Sequence, residues 1–321
     1  MKPPKFPYGG QAVMEGVMMR GAHYMSIATR SPAGGIVRQT WPLSNWTERL
    51  PFLKWPLIRG TVNLVDSLIM GVKALTYSAG QLAEDGESGE SISNFEMAVS
   101  VVVAMGLAIG LFFLLPAALS YPIQTVAGIS GFQNLIEGFL RIAFFLLYVV
   151  AISRFKDIQR VFQYHGAEHK AIFTLEAGED LNVRNAEAHS RLHPRCGTSF
   201  LLIVMIISIL IFNFLGPMNL GMRLLSRLLL LPVVAGVSYE FLRFAGKHRD
   251  NPVVACLSWP GLQLQRLTTR NPDESQIEVA IAALVSVLEA EGELEGETEG
   301  ELGKGGDIGY DGPAQPDGSP I

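Results

Sequence analysis

Long apolar runs separated by short polar segments dominate the middle of the chain. Four of them approach the length at which an α-helix crosses a bilayer, about 20 residues. They lie near residues 97–122, 135–153, 198–216 and 222–239. The second run carries Glu137 and Arg141 near one end, and the fourth carries Arg223 and Arg227. The pattern predicts an all-α fold, a polytopic helical membrane protein with about four transmembrane helices.

Two further segments place apolar residues at helical spacing beside polar faces, and we expect both to form amphipathic helices. The apolar stripe of the first is Ile58, Val62, Val65, Ile69 and Val72, and that of the second is Ile277, Ile281, Leu284 and Leu288. The second segment also has acidic residues in its first turn, where carboxylates interact favourably with the helix dipole. The first helix could lie at the membrane interface or pack on the bundle.

These elements divide the chain into four regions. They are an N-terminal motif with its amphipathic helix (1–95), a transmembrane bundle (96–240) with a polar loop at 154–197, a C-terminal segment (241–288) and a tail (289–321). The tail is rich in Gly and Glu and poor in apolar residues. It cannot bury enough surface to offset its ordering entropy, so we expect it to be disordered.

Composition and charge support membrane insertion and indicate an orientation. Only 17% of the residues are charged, against about a quarter in soluble domains. The loop at 154–197 is basic, whereas residues 121–134 contain no Lys or Arg. The positive-inside rule therefore predicts a multi-pass protein of the plasma (inner) membrane with both termini and this loop in the cytoplasm. Arg223 and Arg227 oppose this orientation, and no basic patch suggests nucleic-acid binding.

The sequence YHGAEHK at 164–170 is a candidate metal site. We expect residues 154–177 to continue the second span as a helix, with Gly178 as its stop. On that helix the Cβ atoms of His165 and His169 would lie about 5–6 Å apart. Two imidazoles at this spacing can ligate one Zn²⁺, and Glu168 beside them matches the general base of an inverted H-x-x-E-H motif. The alternative is a solvated polar helix next to the membrane.

A third ligand is expected from RLHPRCGTSF, on the other arm of the same hairpin. His193 or Cys196 would complete three protein ligands and leave one position open, the pattern of catalytic zinc. Arg195 and the free N–H groups of the following helix could hold an anionic substrate group or simply anchor the span. We expect His189 to be solvated. Glu176 lies about 10 Å beyond His169 along the helix axis, too far for the same ion.

The N-terminal stretch GGQAVMEGVMMRG has two interpretations. Four glycines among Val and Met permit a short amphipathic element packed on the bundle. The other interpretation is a glycine-rich flap that brings Glu15 to the site as a ligand or base.

Together, GGQAVMEGVMMRG, YHGAEHK and HPRCGTSF resemble the signature blocks of the YqhQ-like family of bacterial membrane proteins, and QRLTTRNPDESQIEVAIAAL is also similar. Members of that family have been described as metal-dependent enzymes on the basis of these His and Cys motifs. The resemblance implies a polytopic membrane protein. It directs attention to Gln11, Glu15, Arg20, His165, Glu168, His169, His193, Arg195 and Cys196.

The leading hypothesis is a membrane-embedded, metal-dependent hydrolase with its site at the cytoplasmic face, acting on a peptide or a lipid-linked substrate. Zn²⁺ would be held by His165, His169 and either His193 or Cys196. Glu168 would be the general base, Arg195 would bind an anionic group and Glu15 would assist. The alternative is a non-catalytic membrane assembly or regulatory protein with a structural metal or a polar cluster. A small transporter is disfavoured, because the runs hold few ionisable groups.

Overall fold

A computed structural model describes residues 6–43, 50–84, 94–120, 133–216, 218–248 and 251–294, and most of these residues are helical. The α-helices are α1 (Ile58–Glu84), α2 (Asn94–Ile109), α3 (Gln133–Ile152), α4 (Lys156–Glu176), α5 (Val183–Ala188), α6 (Gly197–Asn213), α7 (Leu220–Lys247), α8 (Pro252–Thr268) and α9 (Glu274–Ala290). A π-helical turn (Gly110–Leu114) follows α2, and the helix continues to residue 120. A 3₁₀ turn (Pro51–Lys54) precedes α1. The predicted disorder of the tail lies, from residue 295 onward, outside the described residues.

The N-terminal region is a four-stranded antiparallel sheet with the strand order β1-β2-β3-β4. Its strands are β1 (Gly9–Val13), β2 (Gly16–Arg20), β3 (Tyr24–Arg30) and β4 (Ile36–Pro42). The expectation of an all-α chain is therefore wrong for this region, and GGQAVMEGVMMRG forms a β-hairpin. The reason is that β2 is buried on both faces, so it lacks the alternation that marks a half-exposed strand.

The sheet lies between two helical layers. On one face Met18, Met25 and Ile27 pack with Met70 and Ala74 of α1. On the other face Val17, Met19 and Ala28 join a larger core made with α4 and α9. Alternate residues of one strand thus enter different cores, as the period of two in a strand requires.

The predicted C-terminal amphipathic helix is confirmed as α9, and it forms the centre of the larger core. All four residues of its predicted stripe are at most 5% exposed. Asp273 begins the helix with a capping box, in which its side chain accepts from the backbone of Gln276 and the Gln276 side chain accepts from the backbone N–H of Asp273. The last described helix of the chain therefore packs against the first strands.

Within the part of the chain that the structure describes, three helices are long and apolar enough to cross a membrane: Val99–Ser120, Asn134–Ile152 and Gly221–Ala245. The third predicted run is also a helix, α6, but it has only 17 residues. At 1.5 Å per residue such a helix is about 26 Å long, slightly less than a hydrocarbon core of about 30 Å. Helix α6 packs against α3, α7 and α8.

The predicted continuous helix from the second span to residue 177 is interrupted. Helix α3 ends at Ile152, and Phe155 has an extended backbone (φ −74°, ψ 134°) before α4 begins. Gly178, at a φ of +71°, ends α4 as expected. Because of the break, the direction of α4 is not tied to that of α3, and α4 packs on β1 and α9.

Replacing Leu284 by Ala tests the core around α9. The side chain is fully buried, so its loss should lower the free energy of unfolding by about 2–5 kcal/mol. Thermal unfolding of detergent-purified protein should show a clear drop in midpoint. Leu267→Ala, at a side chain that is 38% exposed, is the matched control and should change the midpoint much less; equal shifts would contradict the packing.

Candidate metal centre

Helix α4 and the start of α6 bring three potential metal ligands together. The rings of His165 and His169 share one face of α4, with centroids 4.5 Å apart. Cys196 caps the N-terminus of α6, and its Sγ lies 3.2 Å from Nε2 of His165. The ligand atoms of these three residues lie within 4.8 Å of one another. Of the two candidates in RLHPRCGTSF, Cys196 is the one whose ligand atom lies in this group of three.

Backbone carbonyls determine which nitrogen of each imidazole faces the cluster. Nδ1 of His165 lies 2.9 Å from the carbonyl oxygen of Thr268, and Nδ1 of His169 lies 2.5 Å from that of Arg191. A carbonyl oxygen only accepts hydrogen bonds, so each Nδ1 carries a proton and donates it. In the neutral rings each Nε2 then presents a lone pair, which is the arrangement found in metal-ligating histidines.

Glu168 adds a carboxylate to this group of electron-pair donors. It is only 6% exposed, and its Oε2 lies 3.5 Å from Nε2 of His169. Two lone pairs that face each other in a buried place repel unless a proton or a cation lies between them. The donor set of two imidazoles, a thiol and a carboxylate fits zinc.

The spacing also fits one ion after a small adjustment. With ligand bonds of about 2.0–2.3 Å, two ligands of a tetrahedral Zn²⁺ lie about 3.3–3.7 Å apart. The 4.8 Å spread of the three ligand atoms is larger by about an ångström, which side-chain rotation on α4 can supply. His165, His169 and Cys196 are therefore the residues that could hold a metal.

Gly166 explains how the carbonyl of Thr268 reaches His165. A side chain at position 166 would overlap the carbonyl oxygen of Arg270, in the connection between α8 and α9. Without one, the backbone N–H of Arg270 donates to the carbonyl of Phe162 at 2.8 Å, and the connection lies directly against α4. The glycine of YHGAEHK is thus required by a close approach of two backbones.

Buried polar side chains hold the loop that carries Arg191 and His193. The ammonium of Lys170 donates to the carbonyls of Glu187 and His189 at 2.7 and 2.6 Å, and burial lowers its pKa. Gln265 is fully buried; it accepts from the backbone N–H of His193 and donates to its carbonyl, both at 2.7 Å. These contacts fix the loop against α4 and α8.

His193 and Arg195 lie beside the cluster without joining its three ligands. Nδ1 of His193 accepts from the backbone N–H of Arg195 at 3.2 Å, and Nε2 lies 3.4 Å from a carboxylate oxygen of Glu176. Arg195 forms an ion pair with the same carboxylate. Glu176, which the spacing excluded as a ligand, orients these two side chains. His189 is partly buried and lies 3.1 Å from Glu179, so it is less solvated than expected.

Glu15 lies outside the cluster. It has a left-handed backbone (φ 51°) in the turn between β1 and β2, and its carboxylate forms an ion pair with Arg160 and accepts from the hydroxyl of Tyr164 at 3.3 Å. Burial raises the pKa of Tyr164, and the nearby Glu15 adds to this. The N-terminal block reaches the cluster through Gly10 instead, where a Cβ would lie 2.9 Å from Cγ of Glu168.

Two other polar residues of the N-terminal block contact α1. The side chain of Gln11 lies against Gly71, where a Cβ would be 2.7 Å from its Oε1. Arg20 lies 3.8 Å from Asp66. The block therefore connects α1 with α4, on opposite faces of the sheet.

Comparisons with known proteins place the chain in a family. Residues 55–290 match the family described as "Protein of unknown function (DUF1385)". The chain belongs to this family. It is also 34% identical, over 300 residues, to the "Uncharacterized protein YqhQ" of Bacillus subtilis (strain 168), and the alignment covers 88% of this chain and 93% of that protein. No solved structure matches.

These matches confirm the resemblance inferred from the three motif blocks. They assign no activity to this DUF1385 member, because the function of the family and of YqhQ is unknown.

Sequence reasoning missed the residues that support the two imidazoles. Thr268 and Arg191 act through backbone carbonyls, which any residue type supplies, so no pattern marks them. Gln265 is a polar residue in an apolar helix, and that is a usable signal, because a buried amide needs partners.

Gly166→Ala tests the close approach. The added methyl group should push Arg270 away from α4 and cost about 1–3 kcal/mol, as overpacking does. Hydrogen exchange should show less protection of the amides of residues 268–272. Gly197→Ala is the control, since no atom lies within 4 Å of a Cβ there. Unchanged protection in Gly166→Ala would show that the backbone of Arg270 does not lie directly against α4.

Proposed function

We propose that the chain is a multi-pass membrane protein of the plasma (inner) membrane with a metal centre at the cytoplasmic end of its helical bundle, and that it is a metal-dependent hydrolase. The observation that carries the proposal is the convergence of four electron-pair donors. They are Nε2 of His165, Nε2 of His169, Sγ of Cys196 and a carboxylate oxygen of Glu168, with both Nδ1 protons directed outward to carbonyls.

Membrane insertion is supported by large apolar side chains on the outer surface of the helices. Leu107 of α2, Leu147 of α3 and Leu228 of α7 are 70%, 64% and 69% exposed. Apolar surface that continues over several helices is unfavourable in water and is typical of a lipid-facing surface. Helix α1 adds an exposed apolar row of Val65, Leu68, Ile69, Val72 and Leu75, which suits the membrane interface.

The packing of the chain supports a common side for both termini. The sheet, α4 and α9 share one core, so the first and last described elements lie on the same side as the metal centre. Four passes, made by α2, α3, α6 and α7, agree with this arrangement. The basic loop at 154–197 then favours the cytoplasmic side.

Each residue has a proposed role in hydrolysis. A divalent ion, with Zn²⁺ as the expected one, would polarise the attacking water or the scissile carbonyl. His165, His169 and Cys196 would hold the ion, and Glu168 would accept the proton from the attacking water as general base. Gly10 lies against Glu168 and limits the space around its carboxylate.

The location favours a substrate that reaches the membrane surface, such as a membrane peptide or a lipid-linked molecule. Cys196 begins a helix of the bundle, so the centre lies where that helix leaves the apolar region. The side chain of Arg195 is 31% exposed and adjoins the centre, so it is the candidate for binding an anionic group of the substrate. Glu15 assists by positioning α4 through Arg160 and Tyr164.

A non-catalytic structural metal site is the second candidate, and burial is the observation that favours it. His169 and Glu168 are only 2% and 6% exposed. With Glu168 as a fourth ligand the centre would be closed, and closed four-ligand sites are structural. X-ray absorption of zinc-loaded protein distinguishes the two: one sulfur, two imidazoles and a carboxylate indicate a closed site, and a non-protein ligand in place of the carboxylate supports catalysis.

Metal content and thiol protection test the centre without a substrate. Purified protein should contain about one equivalent of zinc, and the double variant His165→Ala, His169→Ala should contain none. In the wild type, zinc should protect Cys196 from alkylation. Cys256 is exposed and serves as the internal control that stays reactive.

Mass spectrometry of the alkylated peptides measures both cysteines in one sample. Removal of zinc with a chelator should make Cys196 reactive in the wild type. If Cys196 reacts equally with and without zinc while Cys256 behaves normally, the centre does not bind the ion through this thiol.

Glu168→Gln tests whether Glu168 acts as the general base and not as a metal ligand. The amide keeps the shape but cannot accept a proton, so zinc content should stay near the wild-type value while turnover of an identified substrate falls by about 10²–10⁴-fold. Glu179→Gln, which changes an exposed carboxylate outside the donor set, should retain most of the turnover. Full activity in Glu168→Gln would remove the general-base assignment.

A further inference from the structure

A second cluster of charged side chains lies inside the bundle, among α3, α6 and α7. Glu137 and Arg141 of α3 and Arg223 and Arg227 of α7 are all at most 6% exposed. The carboxylate of Glu137 lies 2.8 Å from Arg141, 3.3 Å from Arg227 and 3.5 Å from Arg223. Three guanidinium groups therefore share one carboxylate.

This cluster has a net charge of +2 in apolar surroundings. Buried charges are normally paired, because an uncompensated one loses its hydration. The stretch of chain that leads into α3 and the stretch that runs through α6 into α7 cannot supply a second carboxylate. Residues 97–136 and 188–239 contain no Asp or Glu. The missing negative charge must therefore come from another part of the chain or from a ligand.

The arginines are held in place by neutral partners. Arg227 donates to the side-chain oxygen of Asn134 at 2.7 Å and lies 4.2 Å from the ring centre of Phe212. Within the described part of the chain, the buried Nε of Arg227 has no hydrogen-bond partner. A donor that is fixed, buried and unsatisfied is suited to an acceptor from outside the chain.

The π-helical turn after α2 is a second, independent observation. Its residue Phe112 offers a backbone carbonyl that accepts from Nε of Arg141 at 3.0 Å. An α-helix would use most of its carbonyls internally, whereas π-turns release some and occur frequently at functional sites. Here the irregular turn orients an arginine of the cluster.

The cluster is remote from the metal centre. Phe212 and Cys196 lie at opposite ends of α6, about 24 Å apart at 1.5 Å per residue. Arg227 is the eighth residue of α7, which places it about 10 Å from the helix start. In a membrane-spanning bundle that depth corresponds to the boundary between headgroups and acyl chains.

We propose that Arg141, Arg223 and Arg227 form a binding site for a phosphate group at the end of the bundle opposite the metal centre. Arginine recognises phosphate oxygens with paired N–H donors, and an anionic phosphate would offset the excess charge. The phosphate belongs to an anionic phospholipid or to a soluble molecule, and the site is independent of metal binding.

Ligand-dependent thermal stabilisation of the full-length, detergent-purified protein tests the site. The probes are inorganic phosphate at constant ionic strength, and micelles containing phosphatidylglycerol or, as the zwitterionic control, phosphatidylcholine. Arg223→Gln removes the arginine farthest from Glu137, so the other two pairs remain. Its apparent dissociation constant for the stabilising probe should rise about 10–100-fold.

Two further variants distinguish a ligand site from a structural ion cluster. Glu137→Gln raises the net charge of the cluster and should tighten binding of the probe, whereas a structural cluster would only be destabilised. Arg154→Gln removes an exposed positive charge at the other end of α3 and should leave the response unchanged.

The outcomes separate the sources of the phosphate. Stabilisation by phosphatidylglycerol alone, weakened in Arg223→Gln, supports a lipid site, and stabilisation by inorganic phosphate with the same variant dependence supports a soluble ligand. The proposal is overturned if neither probe stabilises the wild type, or if the cluster variants and Arg154→Gln respond alike.

Discussion

Two hydrogen bonds from imidazole Nδ1 atoms to backbone carbonyls organise the candidate metal centre. They hold His165 and His169 with their Nε2 lone pairs directed at Cys196 and Glu168. Each carbonyl must be brought to α4 by its own segment, and the surrounding contacts serve this need. Gly166 admits the connection between α8 and α9, while Lys170 and Gln265 hold the loop before α6. The motif YHGAEHK therefore contains the two candidate histidine ligands. It also contains Gly166 and Lys170, which position the segments whose carbonyls bind these histidines.

The centre lies where two differently built parts of the chain meet. On one side is a hydrophobic core like that of a soluble domain, in which the sheet packs against α4 and α9. On the other side is the helical bundle. Its helices contact one another through small residues such as Gly261 and Ser199 and through the ion cluster around Glu137. Cys196 belongs to the bundle and the two histidines to the sheet-packed helix. A movement of one part relative to the other would change the spacing of the three ligand atoms.

The sequence predicted those features that depend on local spacing. Helical periodicity identified α1, α9 and the apolar helices, and the four-residue spacing placed His165 and His169 on one face. The sequence left His193 and Cys196 as alternatives. In the structure Cys196 lies with the two histidines, whereas His193 contacts Glu176 and the backbone of Arg195. The sheet was missed since strands buried on both faces resemble any short apolar run. The support from Thr268 and Arg191 was invisible because it comes from main-chain atoms.

The packing of α9 against β2 and β3 affects how the protein folds while it is being synthesised. The sheet is translated first, yet one of its faces is covered by the helix that is translated last among the described elements. Contacts between such distant parts of a chain form slowly and leave apolar strands exposed in the meantime. The nascent chain must therefore keep a half-covered sheet from aggregating until translation has passed residue 290. For the same reason, a shortened form that lacks either the sheet or α9 would lose one half of a shared core and expose the other half to water.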